Sequence, residues 1–294
     1  MKPFMVAAVQ YSLTGIADEA AFWGGITSTI QEAAGRGAEL IVFPEYMTAH
    51  LLGFAEEMDH EAACRYLDSY TEDYVALMQK NSREQGLMIL GGTHICKEEG
   101  KFYNKAFLFF PDGRVETQSK LHLTPEEQTR WPLTAGDSLN IVETSWGKLA
   151  MLTCYDIEFP ELARLAADQG AELLLCPSYT DTSFGYYRVR LCAQARAIEN
   201  QLFVVLSGIV GELGEDRPQV DRGYCQAGLF TPCDVPFAED GILETGELNQ
   251  DMFVMAELDF SMLRTNREQG LVAPFYDRRP DLYKQQENRL LREC

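Results

Sequence analysis

Short apolar runs and amphipathic stretches alternate along the whole chain. Runs at residues 4–9, 39–43, 87–90, 105–110, 149–153, 172–175, 202–206 and 252–258 have strand length and punctuate the full sequence. Between several of them, apolar positions recur at helical spacing, over residues 18–34, 62–85, 161–169 and 186–199. Alternation of this kind predicts an α/β sheet with helices on its faces. Residues 102–118 read instead as a hairpin, because two strand-like runs flank the turn Pro111-Asp112-Gly113-Arg114. A second hairpin-like region spans residues 228–258 around Asp240-Gly241, so the sheet is expected to be mixed. No repeat, low-complexity tract or Gly/Ser linker divides the chain. One domain over residues 1–270 is expected, with residues 271–294 as a polar, irregular arm of that domain, packed on its surface or on a partner subunit.

A chain of 294 residues with 46% hydrophobic content can bury roughly three quarters of its unfolded surface, so neither disulfide nor metal is needed to support the core. Its 45 acidic against 25 basic side chains give a net charge of -20, which repels phosphate backbones and anionic lipid. No nucleic-acid or membrane partner is expected. The eight cysteines, at 64, 96, 154, 176, 192, 225, 233 and 294, form no Cys-x-x-Cys pair and fit a reducing cytoplasm. The opening MKPFMVAAVQY has no signal-peptide pattern, and no apolar run approaches membrane-spanning length. The four histidines show no metal spacing, and the chain carries neither a P-loop nor a dinucleotide glycine motif. Metal and cofactor are both expected to be absent.

Cys154 ends the apolar run Leu149-Ala-Met-Leu-Thr and is followed by Tyr155-Asp-Ile-Glu-Phe-Pro-Glu, which opens a helix. A strand-to-helix turn presents a side chain at the carboxyl edge of a sheet and leaves backbone N–H groups for an oxyanion. An ordinary buried thiol fits the same local pattern. Asp156, Glu158 and Glu161 bring negative charge that would raise the thiol pKa, so a reactive Cys154 needs a nearby cation. Glu45 closes the strand Leu40-Ile-Val-Phe-Pro, with Pro44 at its terminus because proline cannot donate to a ladder. Lys120 follows the first hairpin, where alternation would turn Lys120 and His122 to one face and Leu121 and Leu123 to the other.

Taken together, these residues resemble the carbon–nitrogen hydrolase, or nitrilase, superfamily. The resemblance runs from Val-Ala-Ala-Val-Gln near the start through Phe-Pro-Glu at Glu45, Tyr103-Asn104 and Lys-Leu-His-Leu at Lys120. It continues through Cys-Tyr-Asp-x-x-Phe-Pro-Glu at Cys154 to Ala-Arg-Ala-Ile-Glu-Asn at 195–200. It implies a four-layer αββα sandwich with mixed sheets, a cofactor-free site and a homodimer or higher homo-oligomer joined through helices on one face. It makes Glu45 the general base, Lys120 the oxyanion-side cation and Cys154 the nucleophile. A second glutamate is expected in Thr124-Pro-Glu-Glu-Gln, with Glu127 the closest match and Glu126 its competitor. This loop is similar to a subgroup in which some members carry a fused acetyltransferase-like domain, and none is expected in these residues.

The chemistry these residue types permit is thioester hydrolysis of a small amide or carbamoyl compound. Glu45 would take the thiol proton and return it to the leaving nitrogen, while Lys120 and the Tyr155 backbone N–H hold the oxyanion. Tyr46 and Tyr179 are the candidate substrate contacts. Cys-Tyr-Asp resembles the amidase and carbamoylase branches rather than true nitrilases. Nitrile hydrolysis, acyl transfer to an amine and a catalytically silent binding protein stay open as alternatives.

Overall fold

The computed structural model describes residues 2–213 and 219–293, so Cys294 lies outside it. Thirteen strands and eight α-helices alternate through these residues. The first part of the chain contributes β1 (Phe4–Leu13), α1 (Glu19–Gly35), β2 (Leu40–Val42), α2 (His60–Asp68), α3 (Thr71–Gln85), β3 (Met88–Glu98), β4 (Lys101–Phe109), β5 (Val115–Ser119) and α4 (Pro125–Thr129). The middle contributes β6 (Ile141–Glu143), β7 (Lys148–Met151), α5 (Pro160–Asp168), β8 (Ala171–Ser178), α6 (Ser183–Asn200) and β9 (Phe203–Glu212). The last part adds β10 (Arg222–Gly223), β11 (Gly228–Phe230), β12 (Ile242–Thr245), β13 (Met252–Leu258), α7 (Phe260–Gln269) and α8 (Pro280–Glu293).

Hydrogen bonds link the strands in the order β5-β4-β3-β2-β1-β9-β8-β7-β6. β1 changes partner along its length, from β2 at Val6–Ala8 to β9 at Gln10–Leu13. Side-chain alternation then divides the molecule into layers. Val6, Leu40, Leu90 and Leu108 from one half share a core with Leu149, Leu175 and Val205 from the other, so the two halves face each other. The opposite-pointing residues Ala7, Ile41, Ile89 and Phe109 pack against Ile26 and Ile30 of α1 and Tyr74 and Met78 of α3. On the far side, Ala150, Leu174 and Val204 pack against Ala163 of α5 and Ala193 and Ala197 of α6. Helix, sheet, sheet and helix are thus stacked as the αββα sandwich, and the sheets are mixed: β1-β2-β3 and β7-β8-β9 are parallel, β3-β4-β5 antiparallel.

Three local expectations need correction. The stretch at 62–85 is two helices rather than one, with the chain turning at Ser69-Tyr70 between α2 and α3. Within the second hairpin-like region, β11 and β12 do pair antiparallel, but β13 leaves them to pair with β1. The tail is irregular only over residues 271–279: α8 begins at Pro280 with Asp281 in its first turn, a proline position that suits a helix start because its missing N–H is not needed there. No helix among the described residues is long and apolar enough to cross a membrane.

Gly92, in β3, has φ +71°, and a Cβ there would sit 1.9 Å from the Pro44 carbonyl oxygen. That close approach fixes the end of β2, where Thr93 N–H donates to the same carbonyl at 3.3 Å. Gly92→Ala should therefore cost about 3 kcal/mol or more, combining a left-handed backbone with a steric clash. A urea midpoint close to that of the wild-type chain would show that this contact does not constrain β2.

Candidate active site

Glu45 follows β2, Lys120 follows β5, Cys154 follows β7 and Tyr179 follows β8. β2 and β3 are parallel, and two antiparallel steps bring β5 back to their direction, so the carboxyl ends of these strands converge at one edge of the sandwich. Two of the turns use a left-handed backbone at a residue with a side chain: φ is 56° at Tyr46 and 49° at Cys154. Such conformations cost energy and persist where the surroundings enforce them. At Tyr46 the enforcement is visible, since its N–H donates to Thr93 Oγ1 at 2.9 Å. Cys154 opens a single 3₁₀ turn (Cys154–Glu158) before α5, and Tyr155 is the second residue of that turn.

The charged groups are packed tightly. Lys120 Nζ donates to Glu45 Oε1 at 2.8 Å and to Glu127 Oε1 and Oε2 at 2.9 and 2.8 Å. All three side chains are buried, with Lys120 only 2% exposed. Burial lowers the lysine's affinity for its proton, yet the two carboxylates outweigh that and hold its pKa well above the usual range. Burial raises Glu45, and the negative charge of Glu127 adds to this against the pull of Lys120, so its pKa stays above that of an ordinary carboxylate. Glu127 moves the other way, because Lys120, Tyr46 and the Thr124 N–H stabilise its ionised form more than burial opposes it. Glu127 is fixed by a capping box on α4, in which its own N–H meets Thr124 Oγ1 and its carboxylate takes the Thr124 N–H at 2.8 Å. Glu126 points outward to Arg130 and makes no contact with the buried cluster.

The Cys154 thiol lies against this group. It donates to the Tyr179 carbonyl at 3.4 Å, accepts from Ser178 Oγ at 3.3 Å and lies close enough to Glu45 for the carboxylate's charge to act on it. Burial first, then the charge of Glu45, pushes its pKa up, so the sulfur is a neutral thiol at rest. The sequence attributed that pressure to Asp156, Glu158 and Glu161, but burial and Glu45 exert it. Asp156 instead serves as a tie between loops. It is fully buried and accepts from the Leu121 and His122 N–H groups at 3.2 and 2.7 Å, joining the Lys120 loop to the Cys154 turn. The loop is bent there, so strand alternation fails. Lys120 enters the interior, while His122 stays near the surface and stacks on Phe159 with ring centroids 3.7 Å apart.

Of the candidate substrate contacts, Tyr46 donates its hydroxyl to Glu127, and the Tyr179 N–H donates to Glu45 Oε2 at 3.0 Å. Sequence reasoning gave no role to Asn104 or Ser178. Asn104 Nδ2 bridges the carboxylates, at 2.8 Å from Glu45 Oε1 and 3.1 Å from Glu127 Oε1, and the Asn104 backbone carbonyl accepts the Lys120 backbone N–H at 2.8 Å. The Tyr103-Asn104 dipeptide was the available signal. Among the histidines, burial holds His50 and His94 neutral, down to about 4 and about 3, and both are spent on hydroxyl or carbonyl partners. A cavity of about 760 Å³ opens over the cluster, lined by Glu45, Lys120, Glu127 and Cys154 together with Tyr46, Trp131, Tyr155 and Tyr179.

A four-layer sandwich with a cysteine, a lysine and two glutamates at the carboxyl edge defines a class of cysteine-bearing α/β proteins, and comparison with known proteins makes the class specific. The carbon–nitrogen hydrolase family pattern matches residues 5–245, and the chain belongs to that family. It is similar to "Probable hydrolase YhcX" of Bacillus subtilis, with 41% identity over 281 residues, 96% of this chain and 55% of that one. The chain thus spans about half the length of this relative. It is 30% identical over 273 residues to omega-amidase NIT2-A of Xenopus laevis, covering 88% of this chain and 90% of that one. A crystal structure of a carbon–nitrogen hydrolase from Helicobacter pylori superposes with a TM-score of 0.80 at 20% identity, covering 97% and 98% of the two chains.

Removing the lysine charge should expose what it compensates. In Lys120→Met both carboxylates lose their cation, so their folded pKa values rise above the unfolded values near 4.3. A group raised in this way contributes its stability below the unfolded pKa and loses it as pH rises through the folded one. The variant should therefore be destabilised by about 3–5 kcal/mol at pH 8 and by distinctly less at pH 5, read from urea unfolding. An equal loss at both pH values would mean that the charge is compensated elsewhere.

Proposed function

We propose that this chain hydrolyses a carbon–nitrogen bond of a small amide or carbamoyl compound through a thioester on Cys154. The observation that carries the reading is the gathering of Cys154, Lys120 and the buried Glu45 at one cavity, with Lys120 bonded to Glu45 and with Cys154 and Glu45 both held by the Tyr179 backbone. Family membership supports it, and the name omega-amidase on a relative of 30% identity favours amides over nitriles. In this reading Glu45, whose raised pKa makes it a stronger base than an exposed carboxylate, takes the thiol proton as sulfur attacks the carbonyl carbon. Once Glu45 is neutral its hold on Lys120 weakens, and one ammonium N–H turns with the Tyr155 backbone N–H to the oxyanion. Collapse breaks the C–N bond as Glu45 gives its proton to the departing nitrogen. Water, deprotonated by Glu45, then attacks the thioester, releasing the acid and restoring the thiol. Glu127 and Asn104 keep Lys120 and Glu45 in place throughout.

The reading extends to assembly and location. Phe184, Tyr187, Leu191 and Ile198 leave an apolar stripe on α6, beside Leu165 of α5, and these five side chains are 39–80% exposed. Burying such a stripe against a second copy supports a homodimer. The described cysteines are all free, in keeping with a reducing cytoplasm.

Intact-mass analysis of the chain incubated with paired amides and nitriles of one carbon skeleton tests the chemistry. An acyl adduct on Cys154, absent in Cys154→Ala, and faster ammonia release from the amides are expected. Adducts on another cysteine would refute the nucleophile, and faster release from nitriles would refute the amide preference. Glu127→Gln should lower kcat by about 100-fold or more, whereas Glu126→Gln should change it by less than about threefold. The reverse order would assign the second carboxylate to Glu126. For assembly, light scattering should give a dimer for the wild-type chain and a monomer for Leu191→Asp, and a monomeric wild type would remove the proposed interface.

A further inference from the structure

The hydrolase reading leaves the far end of the substrate unspecified, and the cavity wall carries information about it. Among the described residues, six carboxylates line the cavity against three cations. Lys120 is consumed by Glu45 and Glu127, Arg130 is paired with Glu126 at 3.5 Å, and Arg188 with Glu158 at 3.4 Å. Asp181 and Asp221 have no ion pair among the described residues, although Asp221 Oδ1 accepts the Arg222 N–H at 2.7 Å. Both acids lie close enough to Tyr179 that, after burial, their charges are the next influences keeping its phenol protonated.

Three aromatic side chains line the same cavity as these acids and the reacting groups. Tyr46 lies nearly parallel to Trp131, with centroids 6.1 Å apart, and meets Tyr179 edge-on at 6.4 Å. The seven lysine and arginine contacts with aromatic faces among the described residues all fall on other rings. Donation of the Tyr46 hydroxyl to the Glu127 carboxylate shifts electron density toward its ring, which strengthens the attraction of its face for a cation. An alkylammonium fits both features: methylenes and charge against the rings, and the N–H donors toward carboxylates. An anionic group would meet two paired arginines and two acids that have no ion pair among the described residues.

We infer that the cavity selects amides or carbamoyl compounds bearing a positively charged amine at the end remote from the scissile bond, with Tyr46, Trp131 and Tyr179 as the apolar wall and Asp181 and Asp221 as the charge acceptors. This rests on the hydrolase reading and names the substrate class for the same site. The bond chemistry is unchanged: the remote ammonium is carried through and leaves with either the acid or the amine product.

The test is kcat/KM for three primary amides with one tetramethylene spacer: δ-aminovaleramide, hexanamide and adipamate monoamide. The cationic amide should lead the neutral one by about tenfold or more at low ionic strength, and added salt should shrink the lead. In Asp181→Asn/Asp221→Asn the ratio of cationic to neutral kcat/KM should fall by about threefold or more. Because the ratio is internal to one preparation, a general loss of folded enzyme does not move it. Hexanamide or adipamate monoamide equal to or ahead of the cation overturns the charge inference and leaves the hydrolase standing. An unchanged ratio in the double variant overturns the assignment to these two acids. Turnover of none of the three, with no acyl adduct on Cys154, overturns the hydrolase reading and this inference with it.

Discussion

An ammonium sealed between two carboxylates, away from water, is the arrangement on which the rest of this structure depends. Each ion in isolation would lose several kcal/mol of solvation, and their attraction repays this only when geometry is close and the remaining lone pairs are satisfied. Both conditions hold. Lys120 makes three contacts below 3 Å, while Asn104, Tyr46, the Thr124 N–H and the Tyr179 N–H take up the remaining positions on Glu45 and Glu127. The cluster carries one negative charge in excess when every member is ionised. That excess falls on Glu45, the carboxylate with the weaker claim on the lysine, and makes it the one that binds a proton most readily.

The surrounding fold is arranged to hold these ions where no single element could. Strands from both halves of the sandwich deliver their carboxyl ends to one edge, so the two glutamates and lysine arrive from the β1–β5 side and Cys154 from the other. Asp156 joins the two sides, since it sits on the Cys154 turn and holds the backbone of the Lys120 loop. The left-handed turns at Tyr46 and Cys154 are the local cost of aiming these side chains inward, and the Gly92 approach to Pro44 belongs to the same economy of space.

Placing a neutral thiol beside a carboxylate with a raised pKa favours attack in which proton and electron pair move together. The resting sulfur is not a thiolate because Glu45 and burial both oppose negative charge on it, and Lys120, already committed to two carboxylates, does not reverse this. In the proposed mechanism, reactivity is reserved for a bound carbonyl whose developing oxyanion can recruit the lysine. The acidic, aromatic cavity above the cluster then bears on what can reach that point.

The sequence by itself determined the alternation of strands and helices and the termination of strands at Pro44-Glu45 and at Cys154, whereas the set of residues expected at the sheet edge came from its resemblance to the carbon–nitrogen hydrolases. The first two are legible because a strand's period, a proline's missing donor and a helix start are local properties of a few neighbouring residues. Tertiary structure alone decided that β1 trades β2 for β9, that Lys120 turns inward while His122 stays near the surface, and that Asn104 bridges two carboxylates from distant segments. The same holds for Asp156, whose acidity looked like local pressure on the thiol until its buried partners proved to be the N–H groups of another loop. Each of these depends on contacts made across the sandwich, where loss of water fixes which partner a polar group must find, and sequence spacing carries no record of that choice.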